Sequence, residues 1–409
     1  MMELDEIWIV AAKRTPMGRF QGELVSYSAP QLGGFAIRAA MEQSTLHGEL
    51  IDELFMGCVL AAGCGQAPAR QAALKAGLPN SVPCSTINKV CGSGMKSVML
   101  AYDLIRSGSI RCAVAGGMES MSNAPYLLKE SRAGMRMGHK TTFDHMFLDG
   151  LQDAYQGELM GVYGQRIADT LNFSRQEMDN WAEQSLQRAL AAQAQGMFSA
   201  EMVAIESEKQ GESALDWFDF DELPPSIDAT KIARLKPAFS PQGSITAANS
   251  SAISDGAAAL FVMEQAFAEQ NGVAPLAVIK GHATHARLPE EFTVAPVYAI
   301  EALLSKLDWD VEDVDLWEIN EAFAVVAQIA VKELGLDSSK VNIKGGACAL
   351  GHPIGASGAR IITTLIYSLR QLQAYGIDGD ATQRKTMRGI AAICIGGGEA
   401  TAIAVEIPL

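Results

Sequence analysis

Apolar residues along this chain recur at two alternating spacings. Residues 7–12 (Ile-Trp-Ile-Val-Ala-Ala), 54–60 and 112–115 form short, nearly continuous apolar runs, the pattern of strands buried on both faces. Between them the spacing lengthens to three and four residues. Met95, Val98, Met99, Tyr102 and Ile105 share one helical face, and residues 30–41 read as a helix with Pro30 in its first turn. The same order then returns: a strand at 276–280, a helix at 295–304, a strand at 316–320 running into a bend, a Gly-rich turn at 345–358 launching a helix at 359–369, and a strand at 391–395. Each half closes on a strand followed by Gly-Gly and a glutamate, Gly116 to Glu119 and Gly396 to Glu399. Strand–helix alternation predicts the α/β class, and the repeat predicts two pseudo-twofold-related halves, residues 1–272 and 273–409.

Residues 121–243 have a different texture, with clustered methionines, Pro224-Pro225, an acidic run at 216–222 and one clear helix at 176–195. They read as a loop domain inserted into the first half, with the fold resuming near 244–263. Insertions of this length usually carry substrate contacts. The basic cluster Arg132, Arg136, His139 and Lys140 reads as solvated loop.

Composition narrows the function classes. At 409 residues the chain exceeds one hydrophobic core, and 48% hydrophobic with 19% charged residues describes an ordinary globular protein. A net charge of −15 argues against a nucleic-acid partner, though not against a small anionic substrate. No uninterrupted apolar run reaches the ~18 residues of a membrane span, so no membrane partner is expected. The acidic start resembles neither a secretory signal nor a transit peptide, and a cytoplasmic location is the expectation. Seven scattered cysteines without zinc-type spacing suit a reducing compartment and no metal. No dinucleotide or Walker pattern occurs in convincing context, so no nucleotide cofactor is implied.

Four positions stand where sites form in α/β folds, at strand ends and helix starts. Cys91 precedes a helix and follows a turn containing Gly92 and Gly94, at the positive end where a thiolate is favoured. His352 opens the helix that the repeat makes its counterpart. Asn320 follows a strand, and Cys394 precedes the amides of Gly396, Gly397 and Gly398. If the halves are related by a twofold, Cys91 and His352 face one crevice, and a thiol beside an imidazole makes a nucleophile. A second cysteine can exchange a proton with a carbon acid, while glycine amides and an asparagine-held water stabilise oxyanions. This chemistry is acyl transfer through a thioester with a carbanion-like step.

Five motifs in order, Asn88-Lys-Val-Cys-Gly-Ser-Gly94, Gly116-Gly-Met-Glu-Ser-Met-Ser122, Asn320-Glu-Ala-Phe-Ala324, Gly351-His-Pro-Ile-Gly-Ala-Ser-Gly-Ala-Arg360 and Cys394-Ile-Gly-Gly-Gly398, resemble the thiolase family along nearly the whole chain. The resemblance implies a thiolase-type fold and a reversible reaction, acyl-CoA plus acetyl-CoA giving 3-oxoacyl-CoA plus CoA. It makes Cys91 the acyl-carrying nucleophile and His352 both its activator and a donor to the thioester oxygen of the second substrate. Asn320 would hold a water of one oxyanion site, the amides of Cys91 and Gly396 would form the other, and Cys394 would move the α-proton. Coenzyme A is then a substrate rather than a cofactor, and a homodimer or homotetramer is implied. Residues 246–256 match the family's pantetheine-contacting stretch, with Ser251 at its serine and Ala247 within it; Leu151, Met160 and Phe323 would meet the substrate. Three departures follow: Ala252 replaces a common glycine, Leu159 replaces the histidine usual in short-chain biosynthetic members, and Pro224-Pro225 occupy the place of a basic residue near the adenine. Lys231, Arg234 or Lys236 would then meet the phosphates. Two other readings are a decarboxylating ketoacyl synthase, whose relatives lack a cysteine at the Cys394 position, and a non-catalytic acyl-CoA-binding subunit. Cys58, Cys64, Cys84, Cys112 and Cys348 read as packing residues, and His47, His139, His145, His282 and His285 as structural.

Overall fold

A computed structural model of the chain describes residues 5–207, 216–375 and 386–409; residues 1–4 of the acidic start lie outside them. Among the described residues nine strands form the backbone of one mixed sheet: β1 (Ile7–Arg14), β2 (Glu53–Gly57), β3 (Cys84–Ile87), β4 (Cys112–Ser120), β5 (Ser254–Glu264), β6 (Ala277–Ala286), β7 (Leu316–Ile319), β8 (Met387–Ile395) and β9 (Glu399–Ile407). Their spatial order is β7-β8-β9-β6-β1-β5-β4-β2-β3, and the two-residue strand Gly18–Arg19 pairs beside β5.

The order reads symmetrically outward from the β1–β6 pair. These strands run antiparallel through Ile7↔Ile279, Trp8↔Val278 and Ile9↔Ala277. On either side follow an antiparallel strand, β5 or β9, then β4 or β8 antiparallel to it, then β2 or β7 parallel to that. The expected pseudo-twofold is therefore present in the pairing directions themselves.

Helices α1 (Ala29–Ser44) and α2 (Pro68–Ala76) cover one face in the first half, and α6 (Ala295–Leu307) and α7 (Ala324–Leu334) cover the matching face in the second. Helices α3 (Ser93–Arg106) and α8 (Ser357–Tyr375) share a third core with strand residues of both halves. Strand residues consequently alternate between two apolar environments: Leu54 and Met56 face the first core and Phe55 the shared one. A strand with no polar face must read as a continuous apolar run, which is how these strands appear in the sequence.

The matched Gly-Gly–Glu endings are not equivalent, which corrects one part of the repeat. Gly116 and Gly117 lie inside β4, where a Cβ on either would stand 2.1 Å from the carbonyl oxygen of Ala258 or of Gly355. Gly397 and Gly398 instead turn a hairpin between β8 and β9 with φ of +94° and +88°. Close approach demands glycine in the first place and left-handed backbone in the second. The strand expected at 54–60 also ends early, at Gly57, because the Val59 and Leu60 amides turn to the Glu119 carboxylate, at 3.0 and 3.1 Å.

Residues 121–253 stand between β4 and β5. They contain α4 (Met160–Thr170) and α5 (Arg175–Ala194), the latter starting in a capping box of Ser174 and Glu177. Buried ion pairs from Arg14 of β1 to Glu201, at 2.5 Å, and to Asp221, at 2.7 Å, tie the insertion to the sheet. The basic cluster is exposed, with Lys140 3.1 Å from Glu130. Among the described residues no helix is long and apolar enough to cross a membrane.

Candidate active site

Residues 89–93 make the turn that presents Cys91. The Gly92 amide donates to the Lys89 carbonyl at 3.0 Å, the Ser93 amide to that of Val90 at 3.1 Å, and the Lys89 amide to the Ser93 hydroxyl at 2.8 Å. Val90 is held at φ +46°, a left-handed conformation that β-branched residues rarely adopt. Gly92 has no room for a side chain, since its Cβ would lie 2.4 Å from Ile395 Cδ1 at the end of β8. That contact brings the Cys394–Gly396 hairpin against the turn.

Helix α8 meets α3 equally closely. A Cβ on Gly358 would lie 2.4 Å from the Met95 amide nitrogen, and one on Gly94 2.9 Å from that of Ala359. The two helix starts touch backbone to backbone, so the residues leading into them, Cys91 and His352, reach one cavity. His352 is positioned twice: its amide donates to the Ala252 carbonyl at 2.9 Å, and its Nδ1 is 2.5 Å from Ser357 Oγ. Its Nε2 is buried with no hydrogen-bond partner among the described residues.

The cavity is about 270 Å³ and its walls are overwhelmingly apolar. Cys91, His352, Cys394 and Gly396 all line it, as do Leu151, Met160, Ser251 and Phe323. Asn320 is not on its wall. It is buried at the end of β7, just before the lining residues Ala322 and Phe323, and neither its Oδ1 nor its Nδ2 has a partner among the described residues. Ala247 lies elsewhere, in a second cavity of about 300 Å³ with Lys231, Ile227 and Leu235; Ala252 borders both cavities. Arg234 and Lys236 are exposed and line neither.

Sequence reasoning missed Met121, Phe147, Phe239, Phe292 and Ile354 on the wall. Phe323 makes edge contacts with Phe239 and Phe292 at centroid distances of 6.0 and 6.1 Å, an aromatic side built from three separate segments. A pairwise contact of this kind leaves no local pattern to read.

Two buried carboxylates hold the frame. Glu119 accepts the amides of Val59, Leu60 and Gly355 at 2.9–3.1 Å, and its enclosure raises its pKa to about 7. Glu321 accepts from Trp181 Nε1, Ser185 Oγ, Asn342 Nδ2 and the Cys348 amide at 2.8–3.1 Å, joining α5 to the second half. Cys348, beside it, is buried packing.

Burial pushes the Cys91 thiol up to about 11, against the pull of the Gly396 and Cys91 amides, which favour its thiolate. Burial and the neighbouring Cys91 also raise Cys394. Desolvation, with Arg360 nearby, holds His352 down to about 3. At neutral pH the site therefore contains two thiols and a neutral imidazole. A proton leaving Cys91 needs an acceptor, and the unpartnered Nε2 is one.

Comparison with known proteins follows the same outline. The family model described as Thiolase, N-terminal domain matches residues 7–266, and Thiolase, C-terminal domain matches residues 273–407. Acetyl-CoA acetyltransferase of Chromobacterium violaceum is 45% identical over 405 residues, covering 98% of this chain and 100% of the relative. Acetyl-CoA acetyltransferase 1 of Arabidopsis thaliana is 46% identical, covering 98% and 94%. The crystal structure of Acat5 thiolase from Ascaris suum in complex with coenzyme A superposes with a TM-score of 0.90 at 38% identity, covering 98% of this chain and 99% of that one. With the symmetric fold, the paired helix starts and this full-length likeness in agreement, the chain belongs to the thiolase family.

Proposed function

We propose that this protein is an acetyl-CoA C-acyltransferase, interconverting acyl-CoA plus acetyl-CoA with 3-oxoacyl-CoA plus CoA. The observation that carries the reading is the convergence of Cys91, Cys394, the Gly396 segment and the open Nε2 of His352 on one apolar cavity.

Cys91 Sγ attacks the thioester carbonyl carbon of an acyl-CoA while its proton passes to His352 Nε2. The oxyanion is met by the amides of Cys91 and Gly396, which already lie beside the sulfur. The carbon–sulfur bond to CoA breaks, and the departing thiolate takes the proton from His352. Acetyl-CoA then enters, and Cys394 passes its thiol proton to His352 Nε2. The resulting thiolate removes the α-proton of acetyl-CoA while the enolate oxygen is met by the Nε2–H of His352 and a water held by Asn320. The enolate carbon attacks the Cys91 thioester and expels the Cys91 sulfur, which takes the proton from His352 Nε2, and the product leaves as 3-oxoacyl-CoA. The unsatisfied amide of Asn320 supports that role, since a buried amide is normally hydrogen-bonded.

The second cavity, reached past Ala252 and carrying Lys231, suits the coenzyme A arm, with Ser251 and Ala247 along the way. Apolar walls including Leu159, Leu151 and Phe147 suit an alkyl acyl group. Exposed Tyr126, Met135 and Met137 in the insertion support a homodimer or homotetramer, and seven free cysteines support a reducing, cytoplasmic setting.

Intact-mass measurement after brief incubation with acetyl-CoA tests the reading. The expected result is one acetyl adduct that maps to Cys91 and is absent from Cys91→Ser. No adduct and no CoA release, with longer acyl-CoAs equally inert, would overturn it.

A further inference from the structure

The reaction above requires one particular form of His352: the proton on Nδ1 and a lone pair on Nε2. Nothing in the imidazole enforces it, since the neutral ring in water prefers its proton on Nε2. The enforcing group has to be in the protein.

Ser357, the first residue of α8, is fully buried. Its Oγ lies 2.5 Å from His352 Nδ1 and 2.9 Å from the Pro353 carbonyl oxygen. The hydroxyl has one hydrogen and the carbonyl can only accept. If that hydrogen went to Nδ1, the two oxygens would face each other at 2.9 Å with no hydrogen between them. If it goes to Pro353, both contacts are satisfied: Nδ1–H donates to Oγ, and Oγ–H donates to the carbonyl. The chain therefore has one consistent direction. It leaves Nε2 bare, and Nε2 is the ring nitrogen without a partner among the described residues. The depressed basicity of the buried ring agrees, because the imidazole then stays neutral while the tautomer is chosen.

We propose that Ser357 is a positioning residue that selects the Nδ1–H tautomer of His352 and so makes Nε2 the proton acceptor for Cys91. The inference rests on the acyl-transfer reading for its purpose, but the tautomer itself belongs to the free enzyme. Ser357 touches no reacting atom; it acts through the ring. Because residues 353–357 are the turn that starts α8, the carbonyl that directs the serine belongs to the same turn and moves with it.

The test uses the whole protein labelled with 15N-histidine, with the His352 signals assigned by their loss in His352→Gln. Wild type is expected to show a protonated Nδ1 and a pyridine-type Nε2. Ser357→Ala should shift both signals toward the opposite tautomer. It should also slow Cys91 alkylation and kcat by about tenfold or more with KM little changed, the scale of losing an oriented base. Ser357→Thr, which keeps the hydroxyl, should restore the wild-type signals. A Ser357→Ala spectrum like wild type, or Thr and Ala variants shifted alike, overturns the proposal. Failure of every variant to transfer acetyl would instead sink the reaction, and the nitrogen signals would still decide the tautomer.

Discussion

Gly358→Ala separates the geometry of the site from the stability of the fold. In the native structure the added methyl would lie 2.4 Å from the Met95 nitrogen and 2.7 Å from Met95 Cβ, whereas ordinary contact begins at 3.4 Å. The first obstacle is backbone, so the helices must part by about 1 Å. Overpacking of this kind costs roughly 1–3 kcal/mol. Alanine in a helix returns about 1 kcal/mol of propensity, leaving a net loss of ~0–2 kcal/mol. For a chain of this length, an unfolding entropy of ~2.1 cal/mol/K per residue turns that into a Tm change of only about 0–3 °C. Activity should respond far more. Parting α3 from α8 moves Cys91 away from His352, and a misplacement of about 1 Å can reduce rate by ~10²-fold. The assay is the burst of CoA released on mixing with acetyl-CoA, beside a thermal melt. Gly34→Ala, in α1 and limited chiefly by the Lys75 side chain at 3.0 Å, is the control for adding a methyl elsewhere. A Gly358→Ala enzyme that melts like wild type and releases CoA at the wild-type rate would refute the claim that this backbone contact sets the site.

Cys394→Ser should still acquire the acetyl group on Cys91 at nearly the normal rate but condense about 10²-fold or more slowly; equal loss of both steps would sink the division of labour. In His352→Gln, alkylation of Cys91 should climb about tenfold per pH unit between roughly pH 7 and 10, since the thiol titrates near 11 and only its thiolate reacts; a flat profile would contradict this. His352 also carries a pH-dependent share of stability. Its folded pKa, about 3, lies below the ordinary 6.5, so its contribution is complete above pH 6.5 and is lost as pH falls from 6.5 toward 3. Denaturant titrations of His352→Gln should lack up to about 1.4 kcal/mol per pH unit of that slope, and an unchanged slope would contradict the burial argument. Glu321→Ala orphans buried donors on Trp181, Ser185, Asn342 and Cys348 and should destabilise the protein by about 3 kcal/mol or more, read as a lower denaturant midpoint.

What the sequence revealed depended on how local each feature is. The Cys91 turn and helix, the His352 turn and the Cys394 hairpin are each continuous segments whose glycines and periodicity can be read in place. The 176–195 helix, the one clear helix read within the insertion, appears as Arg175–Ala194. Helices Pro68–Ala76 and Met160–Thr170 were not anticipated: the first carries mostly alanine on its buried side, and the second buries Gly161, Gly164 and Gln165. The aromatic wall escaped because Phe239, Phe292 and Phe323 meet only through tertiary packing. Glu119 lay in a quoted motif, yet three amides from two distant loops converge on it, and sequence order cannot show that. The Gly-Gly–Glu match misled because the same residues serve a crowded strand in one half and a hairpin in the other.

Between β8 and β9 stand only three glycines, Gly396, Gly397 and Gly398, while residues 121–253 occupy the corresponding place between β4 and β5. The scaffold was thus free to change its two copies unequally. The short copy fixes the hairpin beside the sulfur, where a longer turn would disturb an amide. The long copy supplies Leu151, Met160, Phe239 and Ser251 to the cavity walls without contributing Cys91, His352 or Cys394. Evolution can therefore redraw substrate preference by editing one loop region while the reacting atoms, held by the other parts of the repeat, keep their places.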